Sequence, residues 1–414
     1  MTYQLLKGVR VIESSAFIAA PLGGLTLAQY GADVIRVEMI GGGIDYLRWP
    51  MAPEGRSLYW TGLNKSKRSI AIDLRKPQGR ELVAALAASP QSGILLTNVA
   101  APWLTHASLA ARRKNMITCT IEGNPDGTTA VDYTVNSATG YPYVTGNANS
   151  ETPVNHVLPA WDLACAMQGA FAVLAAYMRR QATGEGAEIR ISLADIAFST
   201  LSHLGVLADA ELFDQERPAI GNYVYGSFGR DFACADGERV MVAAISARQW
   251  QSLVEACDCA EALAAAEKKA GLSFSVEADR YEGREAIAEI VGGWIGARNL
   301  AEVAASFDAK GVCWGRYRTA RGLVQDDWRV STQNPIFSRI ATPGIGEHLT
   351  AGPTARFAGL DRGPVAPAPL LGEHTDAVLS ELLGLSGEAI GKLHDSGVVA
   401  GPDRDPTVSR RHSR

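Results

Sequence analysis

The sequence predicts an α/β fold, with a Rossmann-like large domain built on a mostly parallel sheet and a smaller α+β domain. Three observations carry that expectation. Short apolar runs, among them VRVIE, ADVIRVE, SIAIDL, GILLTN and AEIRISL, alternate with helical stretches over residues 9–192, the pattern of a sheet covered on both faces. The texture changes near residue 216, where DFACADGERVMVAAI reads as a hairpin turned at Asp236-Gly237. From Asn334 the chain is rich in Pro and Gly through residue 369, then gives one helix, HTDAVLSELLGL. With 414 residues the chain is long enough for two domains. Residues 222–330 are expected to form the smaller domain.

In order, VRVIE reads as a buried strand, SSAFIAAPLGG as a loop, LTLAQY as a short helix and ADVIRVE as a second strand. A polar, Gly-rich segment leads to SIAIDL, a helix around GRELVAALAAS, and the strands GILLTN and MITCTIE. The longest helical signal covers 158–182, where Leu163, Ala166, Met167, Ala170, Leu174 and Tyr177 share one stripe. Arg179 and Arg180 then give a cationic last turn and Gly184 a stop. AEIRISL is the next strand and DIAFSTLSHLGVLADAEL the next helix. Beyond the hairpin, helices are expected near RQWQSLVEA, REAIAEIVGGWIGA and NLAEVAASF, and the closing PDRDPTVSRRHSR is expected to be disordered.

Composition excludes several classes. A net charge of −5 gives no electrostatic reason to expect nucleic acid or an anionic membrane, while leaving room for a small anionic substrate at a local basic site. Six cysteines are scattered, and Cys257-x-Cys259 lacks a second pair at zinc-ligand spacing, so free thiols and no metal are expected. No signal-peptide core opens the chain and no uninterrupted apolar run reaches a membrane-spanning length, which predicts a cytoplasmic protein. The first strand-loop-helix lacks G-x-G-x-x-G, against NAD binding, although its loop falls where an open α/β sheet binds ligands. G-x-S-x-G and H-E-x-x-H are also absent.

Two features point to chemistry. Asn64-Lys65-Ser66-Lys67-Arg68 places three cations together, either a solvated loop or a phosphate clamp. Asp162 sits at the start of the long helix, where the dipole favours a negative charge. Its neighbours are apolar, Trp161 included, and a carboxylate partly stripped of water there suits covalent catalysis. His156 is either a general base or a structural histidine.

Taken together, these stretches resemble the family III CoA-transferases over nearly the whole chain. The residues that carry the resemblance are Gly8–Glu13, Ala19-Ala20-Pro21, Leu27–Glu38, Leu63–Asp73, Asp162 with its helix, and Pro369–Asp376. The resemblance implies an interlocked homodimer whose Rossmann-like large domain is built from both ends of the chain, residues 1–221 and 331–414, around the small domain of 222–330. It also implies catalysis by Asp162, and a CoA site including Phe17, Ile18, Leu63, Asn64, Lys67 and Asn98. No cofactor is implied beyond the CoA of the substrate, and no nucleic-acid or membrane partner. Within the family, SSAFIAAPLGG, GGGIDYLRWP, VNHVLPAWD and RPAIGNYVYGSFGRDF resemble most an intramolecular member, implying CoA transfer between the two carboxyls of mesaconate. Some positions depart from the family pattern. Asn98-Val99-Ala100-Ala101-Pro102 replaces an Asn-Phe-x-Pro-Gly turn, His106 stands where an arginine is usual, and Glu122–Gly127 replaces a Gly-rich stretch.

Three other activities are compatible with the fold. An intermolecular CoA-transferase would release the first acid. An α-methylacyl-CoA racemase needs a base on each face of the α-carbon, and those enzymes carry His-Asp where this chain has Val131-Asp132. A CoA-binding scaffold would leave Asp162 a helix-start acid only. Candidate holders for a free substrate carboxylate are Arg48, His156, Asn222, Tyr223, Tyr225 and Arg230.

Overall fold

The computed structural model describes residues 3–213 and 216–409. The chain forms two compact units. The larger comprises residues 3–139, 157–208 and 328–409, and the smaller 140–156 and 209–327, leaving aside the undescribed pair at 214 and 215. The expected small domain of 222–330 therefore gains two segments on its N-terminal side. One reason is visible in the backbone, where Asn149 donates to the Ala219 carbonyl at 2.9 Å and ties the first added segment to the second.

The large unit holds a seven-stranded sheet: β1 (Arg10–Ser14), β2 (Asp33–Glu38), β3 (Arg68–Ile72), β4 (Ile94–Thr97), β5 (Ile117–Glu122), β6 (Ala187–Ser192) and β12 (Val399–Ala400). The spatial order is β12-β3-β2-β1-β4-β5-β6, with β12 antiparallel to β3 and every other neighbour parallel. In register, Val11 faces Val34, Ile12 faces Leu95 and Val37 faces Ile70. Ile12, Ile35, Ile70, Ile72 and Leu95 are fully buried, as the apolar runs require of strands covered on both sides. The chain switches direction between β1 and β4, so a crevice opens at the C-terminal ends of those strands, where ligands bind in open α/β sheets.

Four local expectations are corrected. The loop after β1 is short, because the helix begins at Ala19 and runs to Gln29. Gly23 and Gly24, which read as part of the loop, lie in the helix at close-packed positions. A Cβ on Gly23 would lie 3.2 Å from the Ala166 carbonyl oxygen, and one on Gly24 only 1.8 Å from a Glu13 carboxylate oxygen. The helix read over DIAFSTLSHLGVLADAEL is two, Leu193–His203 and Val206–Phe213, bent by 63° where Gly205 takes φ +74°. The Pro-rich return contains a hairpin, β10 (Phe337–Thr342) with β11 (Gly346–Ala351). Finally, the tail is ordered to Ser409: Asp405 is fully buried and accepts from the Tyr46 hydroxyl, the Leu371 N–H and Thr407. Residues 410–414 of the expected disordered segment lie outside the described residues.

The long helix spans Ala160–Thr183, close to its expected limits, and ends at Gly184 with φ +76°. By length and composition it could cross a membrane, but Cys165, Ala166, Gly169, Ala170 and Val173 are buried within the large unit. In the small unit, β7 (Phe228–Ala233) and β8 (Arg239–Ala244) form the expected hairpin, and β9 (Trp314–Arg316) pairs with β8. Its core is formed by Phe228, Val242, Phe274, Ile287 and Phe307.

Candidate active site

The crevice between β1 and β4 is organised from its floor upward. Below it lies a buried ionic cluster. The Arg36 guanidinium donates to Glu13 at 2.8 Å, to Ser15 at 2.8 Å and to Glu38 at 2.5 Å, and lies 3.5 Å from Asp45. The Lys67 ammonium is 2.9 Å from Glu13 and donates to the Pro21 carbonyl at 2.7 Å and to Asn64 Oδ1 at 2.9 Å. Burial pulls the Lys67 pKa down to about 8, with Glu13 opposing. Burial alone would also lower that of Arg36, but Glu38, Glu13 and Asp45 carry it above its ordinary value. Such a cluster holds geometry more than it adds net stability, and removing one charge leaves the others uncompensated.

Above the cluster, the loop from Ser15 to Ile18 is pinned from both sides. Asn98, just past β4, accepts from the Ala16 N–H and donates to the Ala16 carbonyl, both at 2.8 Å. Phe17 has φ +64°, a conformation L side chains rarely adopt. Its N–H donates to Asp45 at 2.9 Å, so the ionic cluster holds the strained residue from the other side.

Asp162 is half-buried in the first turn of the long helix. The cap residue, Pro159, has no side chain that could bind the free N–H groups of that turn. Asp132 does so instead: one of its oxygens accepts from the N–H of Trp161 at 2.7 Å and of Asp162 at 3.0 Å. Asp132 is 2% exposed, and its other oxygen has no hydrogen-bond partner among the described residues.

The Asp162 carboxyl is pushed up to about 7, mainly by burial and then by the charge of Asp132; the Ala19 backbone N–H and Arg48 pull the other way. Ala19 opens the helix after β1, so the carboxyl meets the N-terminal end of a second helix as well as its own. The helix-dipole argument predicts a fully ionised acid. Burial and Asp132 override it, giving a carboxylate more basic than an ordinary aspartate and hence a stronger nucleophile.

The expected CoA-site residues separate into two groups. Phe17 is exposed, and Ile18 and Leu63 are half-buried. Asn64 and Lys67 point inward: Asn64 donates to the Trp60 carbonyl at 2.9 Å, and the Lys67 side chain is fully buried, so its ammonium is spent on Glu13 rather than presented to a phosphate. Arg68 is likewise engaged, with Asp33 and Glu381. Lys65, which the sequence did not single out from its neighbours, donates to Thr350 at 2.9 Å and has no acidic partner among the described residues. Burial draws its pKa down to about 8. Asn98 also opens onto a cleft of about 670 Å³ lined further by His106, Glu122, Thr128 and Arg190.

Of the candidates for a free carboxylate, Arg48 lies in the large unit with Asp162, whereas His156, Asn222, Tyr223, Tyr225 and Arg230 belong to the small unit. There Arg230 donates to the Tyr223 hydroxyl at 2.7 Å, and that hydroxyl donates to Glu285 at 2.8 Å.

The strand order is of Rossmann type, with a half-buried aspartate of raised pKa beside the loop after β1, and the chain belongs to CoA-transferase family III, whose model matches residues 6–375. It is 47% identical over 404 residues to a 2-methylfumaryl-CoA isomerase of Chloroflexus aurantiacus, covering 97% of this chain and 99% of that one. It is 25% identical to the succinyl-CoA:glutarate CoA-transferase of Homo sapiens, covering 95% and 90%. A CAIB/BAIF family protein from Brucella suis shares the fold at a TM-score of 0.75 and 23% identity, over 92% of this chain and all of the other.

Proposed function

We propose that the protein is an intramolecular CoA-transferase that converts 2-methylfumaryl-CoA, in which CoA is on C1 of mesaconate, into 3-methylfumaryl-CoA, in which it is on C4. The observation that carries this reading is the basic Asp162 carboxyl held between two helix N-termini, and the 47% identity to an isomerase of that substrate supports it.

An Asp162 oxygen attacks the C1 thioester carbonyl; the C–S bond breaks, giving a mixed anhydride and the CoA thiolate. The thiolate attacks the aspartyl carbonyl, the anhydride C–O bond breaks, and an aspartyl-CoA thioester and the mesaconate dianion result. The Ala19 N–H, already on the carboxylate, stabilises the oxyanion formed at that carbonyl. Mesaconate turns, its C4 carboxylate attacks the aspartyl thioester, and the released thiolate takes C4 from the second anhydride. No proton is transferred in any step, so no paired acid and base are required.

Phe17, Ile18 and Leu63 line the entering thioester, with Lys65 as a cation available to the CoA phosphates. Asn98, Asn64 and Lys67 act beneath them by holding the loop and the cluster. A second copy covers the long helix, on which Met167, Phe171 and Met178 stand 46%, 67% and 71% exposed, forming the interlocked dimer of a cytoplasmic enzyme.

The test is incubation with mesaconyl-C1-CoA and excess isotopically labelled mesaconate. C4-CoA forming without label is the expected result. Label in the product means that the acid exchanges and the enzyme is an intermolecular transferase; no conversion removes this substrate.

A further inference from the structure

Resting on that reading, we propose that Arg48 is the specificity-determining residue of the site: its guanidinium holds whichever carboxylate of the dicarboxylic acid is not bonded to sulfur or to Asp162.

The argument begins with what the neighbouring cations do. Arg36 and Lys67 are buried in the ionic cluster. Arg56 is buried and donates to the carbonyls of Pro343, Ala368 and Pro369. The Arg48 side chain is exposed and has neither a carboxylate nor a carbonyl partner among the described residues. It is nevertheless placed. Its guanidinium lies over the Phe17 ring, 5.5 Å from the centroid, and over the Tyr59 ring at 5.3 Å, two aromatic faces that orient a planar cation while leaving its donor edge open. The backbone is fixed as well, with the Arg48 N–H on the Asp45 carbonyl at 3.1 Å and the Arg48 carbonyl accepting from the Ser57 hydroxyl at 2.5 Å.

The position fits the chemistry. Two negative charges stand beside Asp132 at each stage, first Asp162 with the substrate's free carboxylate and then, once Asp162 is a thioester, the two carboxylates of the released acid, so an unbalanced site would be costly in a partly dry crevice. Arg48 is the cation whose charge acts on Asp162. The groups facing Asp162 and Arg48 also include Tyr59, whose phenol burial keeps protonated, with a pKa pushed up to about 12, and which adds a neutral donor.

One cation serves both ends. With C1 on sulfur, C4 rests on Arg48; with C4 on sulfur, C1 does. The planar trans double bond keeps the two carboxylates apart, so the acid reverses end for end between the same two points, the aspartyl carbonyl and the guanidinium. An acid bound at its free end is also held against escape during the aspartyl-CoA stage.

The experiment compares the wild-type protein, Arg48→Gln and Arg48→Lys on mesaconyl-C1-CoA and on crotonyl-CoA, a thioester without a second carboxylate, reading covalent aspartyl-CoA by intact-protein mass. Arg48→Gln is expected to lower the preference for the mesaconyl thioester about tenfold to hundredfold, the worth of a charged hydrogen bond, and Arg48→Lys to restore part of it. An unchanged preference, or no difference between the two variants, overturns the proposal. The label experiment on the wild-type enzyme separates this from the isomerase reading: exchange there refutes retention of the acid, while the preference ratio still decides the role of Arg48.

Discussion

The site should cost the fold stability, and replacing Asp162 by Asn should return it. Asparagine keeps the shape of the side chain and an oxygen for the Ala19 N–H, but is neutral at every pH. The gap from the ordinary 3.8 to about 7, at about 1.4 kcal/mol per pKa unit, sets a ceiling of about 4 kcal/mol for keeping the folded carboxyl ionised. Because the group is only half-buried, solvent screening reduces this to about 1–2 kcal/mol. The sign follows from proton linkage. Below pH 4 folded and unfolded chains both hold the proton and the cost is absent. Between 4 and 7 the unfolded chain loses it first, so wild-type stability falls as pH rises, and above 7 the full cost persists. Thermal and urea melts of both proteins at pH 5 and pH 8 measure the difference. The variant should melt higher at pH 8, by a margin that shrinks toward pH 5, while turnover is lost. A margin that stays the same at both pH values, or a variant less stable at pH 8, would refute the assigned environment of Asp162.

Two further substitutions test the surroundings of the proposed nucleophile. Asp132→Asn removes the charge that raises the Asp162 pKa while keeping an acceptor for the Trp161 and Asp162 N–H groups. The ascending limb of kcat/KM against pH should move to lower pH, with a slower rate on the plateau from the weaker nucleophile; an unmoved limb counts against the coupling. Gly24→Ala drives a Cβ to within 1.8 Å of Glu13 and must displace the buried carboxylate that pairs with Lys67 and Arg36. A loss of about 3 kcal/mol or more is expected, measured by urea unfolding, against little change for Ala at the open position Gly62.

The parallel sheet was legible because burial on both faces writes itself into the strands as unbroken apolar runs. The unusual setting of Asp162 was legible from a local oddity, an acid between Trp161 and an apolar helix. What stayed hidden depends on distance in sequence. Gly23 and Gly24 read as loop because their reason for being glycine lies at Ala166 and Glu13. The run Lys65-Ser66-Lys67-Arg68 read as one charge cluster, yet its three cations part company: Lys67 goes to Glu13, Arg68 to Asp33, and Lys65 has no acidic partner among the described residues. Asp132 had only a negative signal, the histidine missing before it, and its hold on the long helix spans thirty residues.

These hidden contacts share a design. In the large unit one group of charges is buried and ion-paired, and another is left without such pairing. Glu13, Glu38 and Asp45, three acids, surround two cations, Arg36 and Lys67, in the interior, and Asp45 holds the N–H of Phe17, whose φ is +64°. Phe17 in turn supplies one of the two rings beneath Arg48. Asp132 and Asp162 repel each other above, and Arg48 offers the charge that an incoming carboxylate completes. A buried, ion-paired cluster beside an unpaired site suits a reaction in which charge moves from sulfur to carboxylate and back with no proton to follow it. The same surroundings can then accept the acid from either end, because the protein has nothing to reset between the two halves of the reaction.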